Sequence, residues 1–160
     1  MIKSFKSIDW PVHQKQPNLR PIGEKMYRLE ETARYNWVGV WKKKTGYFEI
    51  EIKEGFVSDG QSVPQVFWSF GLRPDGTVRM AALCHDGLYA FGGNEKHEFG
   101  GVSVWCDGKP VQLGRKASDQ VYKASYIAAN FQEQRKARLA YRALRMFGWV
   151  FFGDRLKNKD

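Results

Sequence analysis

An imidazole, a carboxylate and a phenol lie within five residues at His85, Asp86 and Tyr89, in the run Ala-Ala-Leu-Cys-His-Asp-Gly-Leu-Tyr over residues 81–89. An imidazole takes up a proton near neutral pH, and a carboxylate holds a cation. In a helix His85 and Tyr89 share one face, because residues four apart stack. Asp86 then points about 100° away at 3.6 residues per turn, so it addresses a different part of the site from His85. Asp119, in the next helical pattern, is a distant acid that can fix the histidine tautomer through its second ring nitrogen. The chemistry predicted is activation of a water by His85, with a cation at Asp86. The alternative is a satisfied polar core in which His85 is structural and Asp86 caps the loop at Asp59 and Gly60.

Other reactive side chains fit less chemistry. Cys84 and His85 are adjacent and point apart on a helix, so they do not form a nucleophile–base pair; Cys84 reads as a small buried hydrophobe. His13 and His97 lack zinc-ligand spacing to any partner. Two cysteines, Cys84 and Cys106, make no disulfide framework, which points to a reducing compartment.

These residues need elements to position them. Residues 1–25 carry Pro11, Pro17 and Pro21 with little periodicity and read as an extended arm. Residues 26–70 read as mainly β: a short strand at 26–31, then strands at 37–41 and 47–53 joined by a turn over 42–46. Phe48, Ile50 and Ile52 alternate with Glu49, Glu51 and Lys53, the period-two pattern of a half-buried strand. Residues 55–64 form a turn-rich loop in which Ser58, Asp59, Gly60 and Ser62 offer oxygens and a permissive backbone. Thr77 is the expected cap of a buried helix over 78–91. A hairpin follows at 102–113 around Asp107-Gly108, with Pro110 at an edge. Residues 116–131 and 134–152 carry two more helical patterns. The fold class is therefore α+β in one domain: a small antiparallel sheet and hairpins in the N-terminal half, packed on about three helices in the C-terminal half.

The formal charge is +9, which favours an acidic partner such as nucleic acid or an anionic membrane face. On the last helical pattern Arg135, Arg138, Arg142 and Arg145 fall on one stripe, a surface for an anionic partner or simply a solvated face. No zinc-finger or RNA-recognition motif accompanies it. The first residues lack the apolar run of a signal peptide, and no stretch is long enough to span a bilayer. The expectation is synthesis in the cytoplasm.

The motif Phe56-Val57-Ser58-Asp59-Gly60-Gln61-Ser62-Val63-Pro64, followed by the run at 81–89, resembles an uncharacterised family encoded mainly by tailed bacteriophages and prophages. Its members carry a Ser/Thr-Asp-Gly-Ala-Ser-x-Pro loop and an Ala-Ala-x-x-His-Asp-x-x-Tyr helix. Ala117-Ser118-Asp119 and the Tyr-Arg-Ala-Leu-Arg-Met-Phe-Gly run at 141–148 are similar to that family's later helices; Gln61 stands where Ala is usual. A more distant resemblance is to calcium-dependent phospholipases of the secreted and parvoviral type. It implies His85 as general base, Asp86 as calcium ligand, Tyr89 as support and Asp119 as orienting acid. The loop over 55–60, including Asp59 and Gly60, would stand in for a glycine-rich calcium loop, with Ser58 and Ser62 supporting it. That loop lacks the Gly-x-Gly character of those enzymes, and their disulfides are absent.

The favoured reading is a virion or tail-assembly protein, made in the host cytoplasm and partnered by other phage structural proteins, in which the His-Asp-Tyr-Asp cluster is structural. The runner-up is a calcium-dependent ester hydrolase acting on lipid. The third is a host-directed binder using its basic surface, for instance on nucleic acid.

Overall fold

The computed structural model describes residues 1–23, 26–58, 79–91 and 101–147. Its strands are β1 (Ser7–Asp9), β2 (Leu19–Gly23), β3 (Met26–Leu29), β4 (Ala33–Trp41), β5 (Lys44–Ile52), β6 (Val57–Ser58), β7 (Val102–Cys106) and β8 (Lys109–Pro110). Its helices are α1 (Arg79–Phe91), α2 (Arg115–Ala129) and α3 (Gln134–Phe147), the last preceded by a 3-10 turn at Phe131–Glu133. The strands form two antiparallel sheets, ordered β1-β4-β5-β7-β8 and β2-β3-β6. The class is α+β, as the sequence predicts. Among the described residues no helix is long and apolar enough to cross a membrane.

The central hairpin follows from alternation. Tyr35 and Trp37 of β4 and Phe48, Ile50 and Ile52 of β5 are buried, while the residues between them are more exposed. The register sets Trp37 opposite Phe48 and Tyr35 opposite Ile50. Their rings continue a stack in which Trp37 lies between Trp10 at 5.4 Å and Phe48 at 5.2 Å. The turn is tighter than the expected 42–46 loop: Thr45 and Gly46 already pair with Val40 and Gly39. Only Lys42 and Lys43 make the reversal, at φ 41° and 64°. A two-residue turn of this hand matches the twist of the strands, and that match outweighs the absence of Gly or Asn.

The N-terminal segment is not a separate extended arm. β1 joins the edge of the larger sheet beside β4, β2 pairs with β3, and Ile2, Phe5 and Trp10 are buried. Glutamine amides hold it in place. Gln120 on α2 accepts from the Phe5 N–H at 2.8 Å and donates to the Phe5 carbonyl at 2.9 Å. Gln14 makes the same double bond with the Asn36 backbone at 2.8 Å each way. Gln16 accepts the N–H of Met80 at 3.0 Å, satisfying a donor that the first turn of α1 would otherwise leave orphaned.

Two further boundaries differ from the sequence reading. The β7–β8 hairpin turns at Asp107-Gly108 as expected (φ 50° and 74°), but it ends at Pro110 on the sheet edge, and Leu113 instead bridges Ile2. α2 ends at Ala129, before the expected 131. The expected end of the last helix at 152, the Thr77 cap and the loop over 59–64 lie outside the described residues.

α1 packs between the larger sheet and α2, and α2 between α1 and α3. Gly87 permits the first contact. A Cβ there would stand 3.1 Å from one Val102 methyl and 3.3 Å from the other, tighter than ordinary van der Waals contact. The glycine that weakens the helix by propensity is thus what lets α1 lie close on β7, with its opposite face turned to α2.

Candidate functional site

Three helices deliver one polar cluster into this core. From α1, His85 and Tyr89 project together, one turn apart, with ring centroids 3.9 Å from each other. From α2, Asp119 meets both. Its Oδ1 lies 3.0 Å from His85 Nε2 and also accepts the Tyr89 hydroxyl. From α3, Arg145 donates Nη1–H to Asp119 Oδ2 at 2.8 Å. Tyr122, one turn after Asp119, sets its ring edge-on to the imidazole at 5.2 Å. The His85 and Asp119 side chains are 0% exposed, and Arg145 enters from the rim at 29%.

The electrostatics follow from the partners. Burial pushes the Asp119 carboxyl towards its neutral form, but the hydrogen bond and charge of His85, with the hydrogen bonds from Tyr89 and Arg145, outweigh it and hold the group below the usual carboxylate range. An ionised carboxylate only accepts, so Nε2 of His85 is the protonated nitrogen. Burial, then the neighbouring Asp119, pushes the Tyr89 phenol upward, and burial does the same for Tyr122. Both hydroxyls therefore stay protonated.

His85 Nδ1 is buried and has no hydrogen-bond partner among the described residues. In the neutral imidazole, with the proton on Nε2, that nitrogen carries a bare lone pair. An unsatisfied buried polar atom costs roughly 1–3 kcal/mol. Trp10 Nε1 and Trp37 Nε1 share this condition inside the aromatic stack, but an indole N–H is only a donor, whereas a bare imidazole nitrogen is a base.

Asp86 leaves the helix on a different side and accepts a hydrogen bond from Ser58 on β6. Ser58 thus meets the cluster's helix, while Asp59, Gly60 and Ser62 lie outside the described residues. Calcium takes six to eight oxygen ligands. Asp86 supplies one carboxylate, and among the described residues no group of three or more His, Cys, Asp and Glu side chains is placed to hold a metal. These residues do not make a calcium site by themselves. Burial, then Asp86, raises the Cys84 thiol well above its ordinary value, so Cys84 stays a neutral core side chain.

Arg145 corrects the sequence reading of α3. Arg135, Arg138 and Arg142 are exposed, but Arg145 turns inward to Asp119 and belongs to the cluster. Its backbone carbonyl, with that of Leu144, is in turn held by Arg115 of α2 at 3.3 and 3.2 Å. Leu139 and Met146 on the same helix are 40% and 59% exposed.

The low carboxyl pKa makes stability depend on acidity. A group whose folded pKa is depressed contributes stability that is full above its unfolded value and lost as pH falls through the folded one. The unfolded value for aspartate is about 3.9. Wild-type stability is therefore expected to fall as pH drops below about 4, with a smaller fall in Asp119→Asn; urea titrations at stepped pH check it. Equal slopes for the two proteins would remove Asp119 as the cause.

A family model described as a protein of unknown function, DUF1353, matches residues 35–144, a span that contains His85, Tyr89 and Asp119 but stops one residue short of Arg145. No curated protein and no solved structure matches the chain.

Proposed function

The chain belongs to the DUF1353 family, a family of unknown function, and we propose that it is an ester hydrolase in which His85 acts as general base. The observation that carries this reading is the Nδ1 of a buried imidazole, without a hydrogen-bond partner among the described residues, whose Nε2 is tied to an ionised carboxylate. Once water and ester are admitted to the buried imidazole, Nδ1 removes a proton from water, and the water oxygen attacks the ester carbonyl carbon. The tetrahedral adduct then expels the alcohol oxygen, which takes the proton back from Nδ1. Ester and water become acid and alcohol, and His85 is restored. Asp119 keeps Nε2 protonated and stabilises the imidazolium formed in between. Tyr89 and Arg145 keep Asp119 ionised and aimed. The distant resemblance to calcium-dependent phospholipases supports a lipid ester as substrate.

A second reading has its own observation. The complete burial of His85 and Asp119 also suits a clamp that joins α1, α2 and α3 in a phage virion or tail-assembly protein. Incubating the purified protein with phospholipid vesicles and with short-chain aryl esters separates the two. Fatty or short-chain acid should appear above the level given by His85→Gln. If no substrate yields more acid than that variant, the clamp reading stands.

A further inference from the structure

The outer face of α3 serves neither the core nor the polar cluster. At about 100° per residue, Arg135, Arg138, Leu139, Arg142 and Met146 fall within one arc of about 100°, and all five are exposed. The buried residues of the helix, Ala137, Ala140, Ala143 and Leu144, lie away from that arc. No Asp or Glu occurs anywhere in α3, so three cations share the face with two apolar side chains and no counter-charge of the helix's own.

We propose that this face of α3 docks on the surface of an anionic phospholipid bilayer. The mixture of residues selects that partner. A lipid surface offers phosphate charge to the guanidiniums and, just beneath it, hydrocarbon for Leu139 and Met146. The aliphatic stems of the arginines lie along the same boundary with their heads in the phosphate layer. A nucleic-acid backbone would engage the three arginines and leave the leucine and methionine without a role. The chain's +9 charge adds a longer-range attraction of the same sign. This proposal does not depend on catalysis, because Arg145, the α3 residue in the cluster, lies outside the five.

The test is sedimentation of the full chain with vesicles of equal parts phosphatidylglycerol and phosphatidylcholine, and with phosphatidylcholine alone, in moderate salt. Binding is expected to the anionic vesicles and not to the neutral ones. Each cation near such a surface is worth roughly fivefold in partitioning, so Arg135→Gln, Arg138→Gln and Arg142→Gln together should weaken binding roughly 100-fold. Leu139→Ser with Met146→Ser should weaken it roughly tenfold at unchanged charge. All five positions are exposed, and His85→Gln should bind vesicles as the wild type does whether or not the protein hydrolyses esters. The proposal is overturned by absent binding to anionic vesicles, by equal binding to neutral ones, or by binding indifferent to Leu139 and Met146. It is also overturned if duplex DNA is bound through the three arginines while anionic vesicles are not.

Discussion

Asp119→Ala is expected to lower the stability of the chain by about 3–5 kcal/mol, enough to consume much of the margin of an ordinary domain. The carboxylate is fully buried and is held by groups from two other helices, His85 and Tyr89 on α1 and Arg145 on α3. Removing it leaves a guanidinium, an imidazole and a phenol facing a small void, and each has lost an acceptor. The cost comes from those stranded donors rather than from the Coulomb energy of any one pair. Denaturant unfolding should show a lower midpoint at an unchanged slope. Asp119→Asn keeps the shape and one carbonyl acceptor and should lose less. A loss below about 1 kcal/mol for Asp119→Ala would mean that the three helices hold together by packing alone.

The second large effect concerns chemistry. His85→Gln should lower ester hydrolysis by about 10²–10⁴-fold, the usual contribution of a positioned general base, while the protein stays folded. Glutamine can still donate an N–H towards Asp119, so the carboxylate keeps a partner, but it supplies no base. Asp119→Asn should also lose activity for a different reason: an amide can donate to Nε2 and drive the proton onto Nδ1, the wrong tautomer for accepting one from water. Rates compared at equal folded fraction separate this from the stability effect. Activity in His85→Gln equal to wild type would end the role assigned to the imidazole.

Both effects trace to spacing that is visible in the chain. His85 and Tyr89 are four residues apart in an apolar helical run, and their shared face is a property of helix geometry. The structure turns that face towards Asp119. The alternation in β5 and the Asp107-Gly108 turn were legible for the same reason, since local periodicity and turn chemistry act over a few residues. Arg145 was not. In sequence it continues the phase of Arg135, Arg138 and Arg142, and only the rolling of α3 against α2 sends one of the four inward. The roles of Gln14, Gln16 and Gln120 were hidden likewise, because a side-chain amide matched to a distant backbone leaves no periodic trace. The buried N-terminal segment followed from those contacts, and prolines alone made it look irregular. Lys42 and Lys43 at positive φ show tertiary pairing overriding local preference.

In neutral His85, Nδ1 is bare while Nε2–H is held by Asp119, and nitrogen NMR of histidine-labelled protein reads this directly. For neutral His85 the spectrum should show Nε2 carrying the proton and Nδ1 without one, with that preference weakened or reversed in Asp119→Asn. A wild-type spectrum in which Nδ1 carries the proton and Nε2 is bare would contradict the account, because the nitrogen assigned to the water would then have no lone pair to offer.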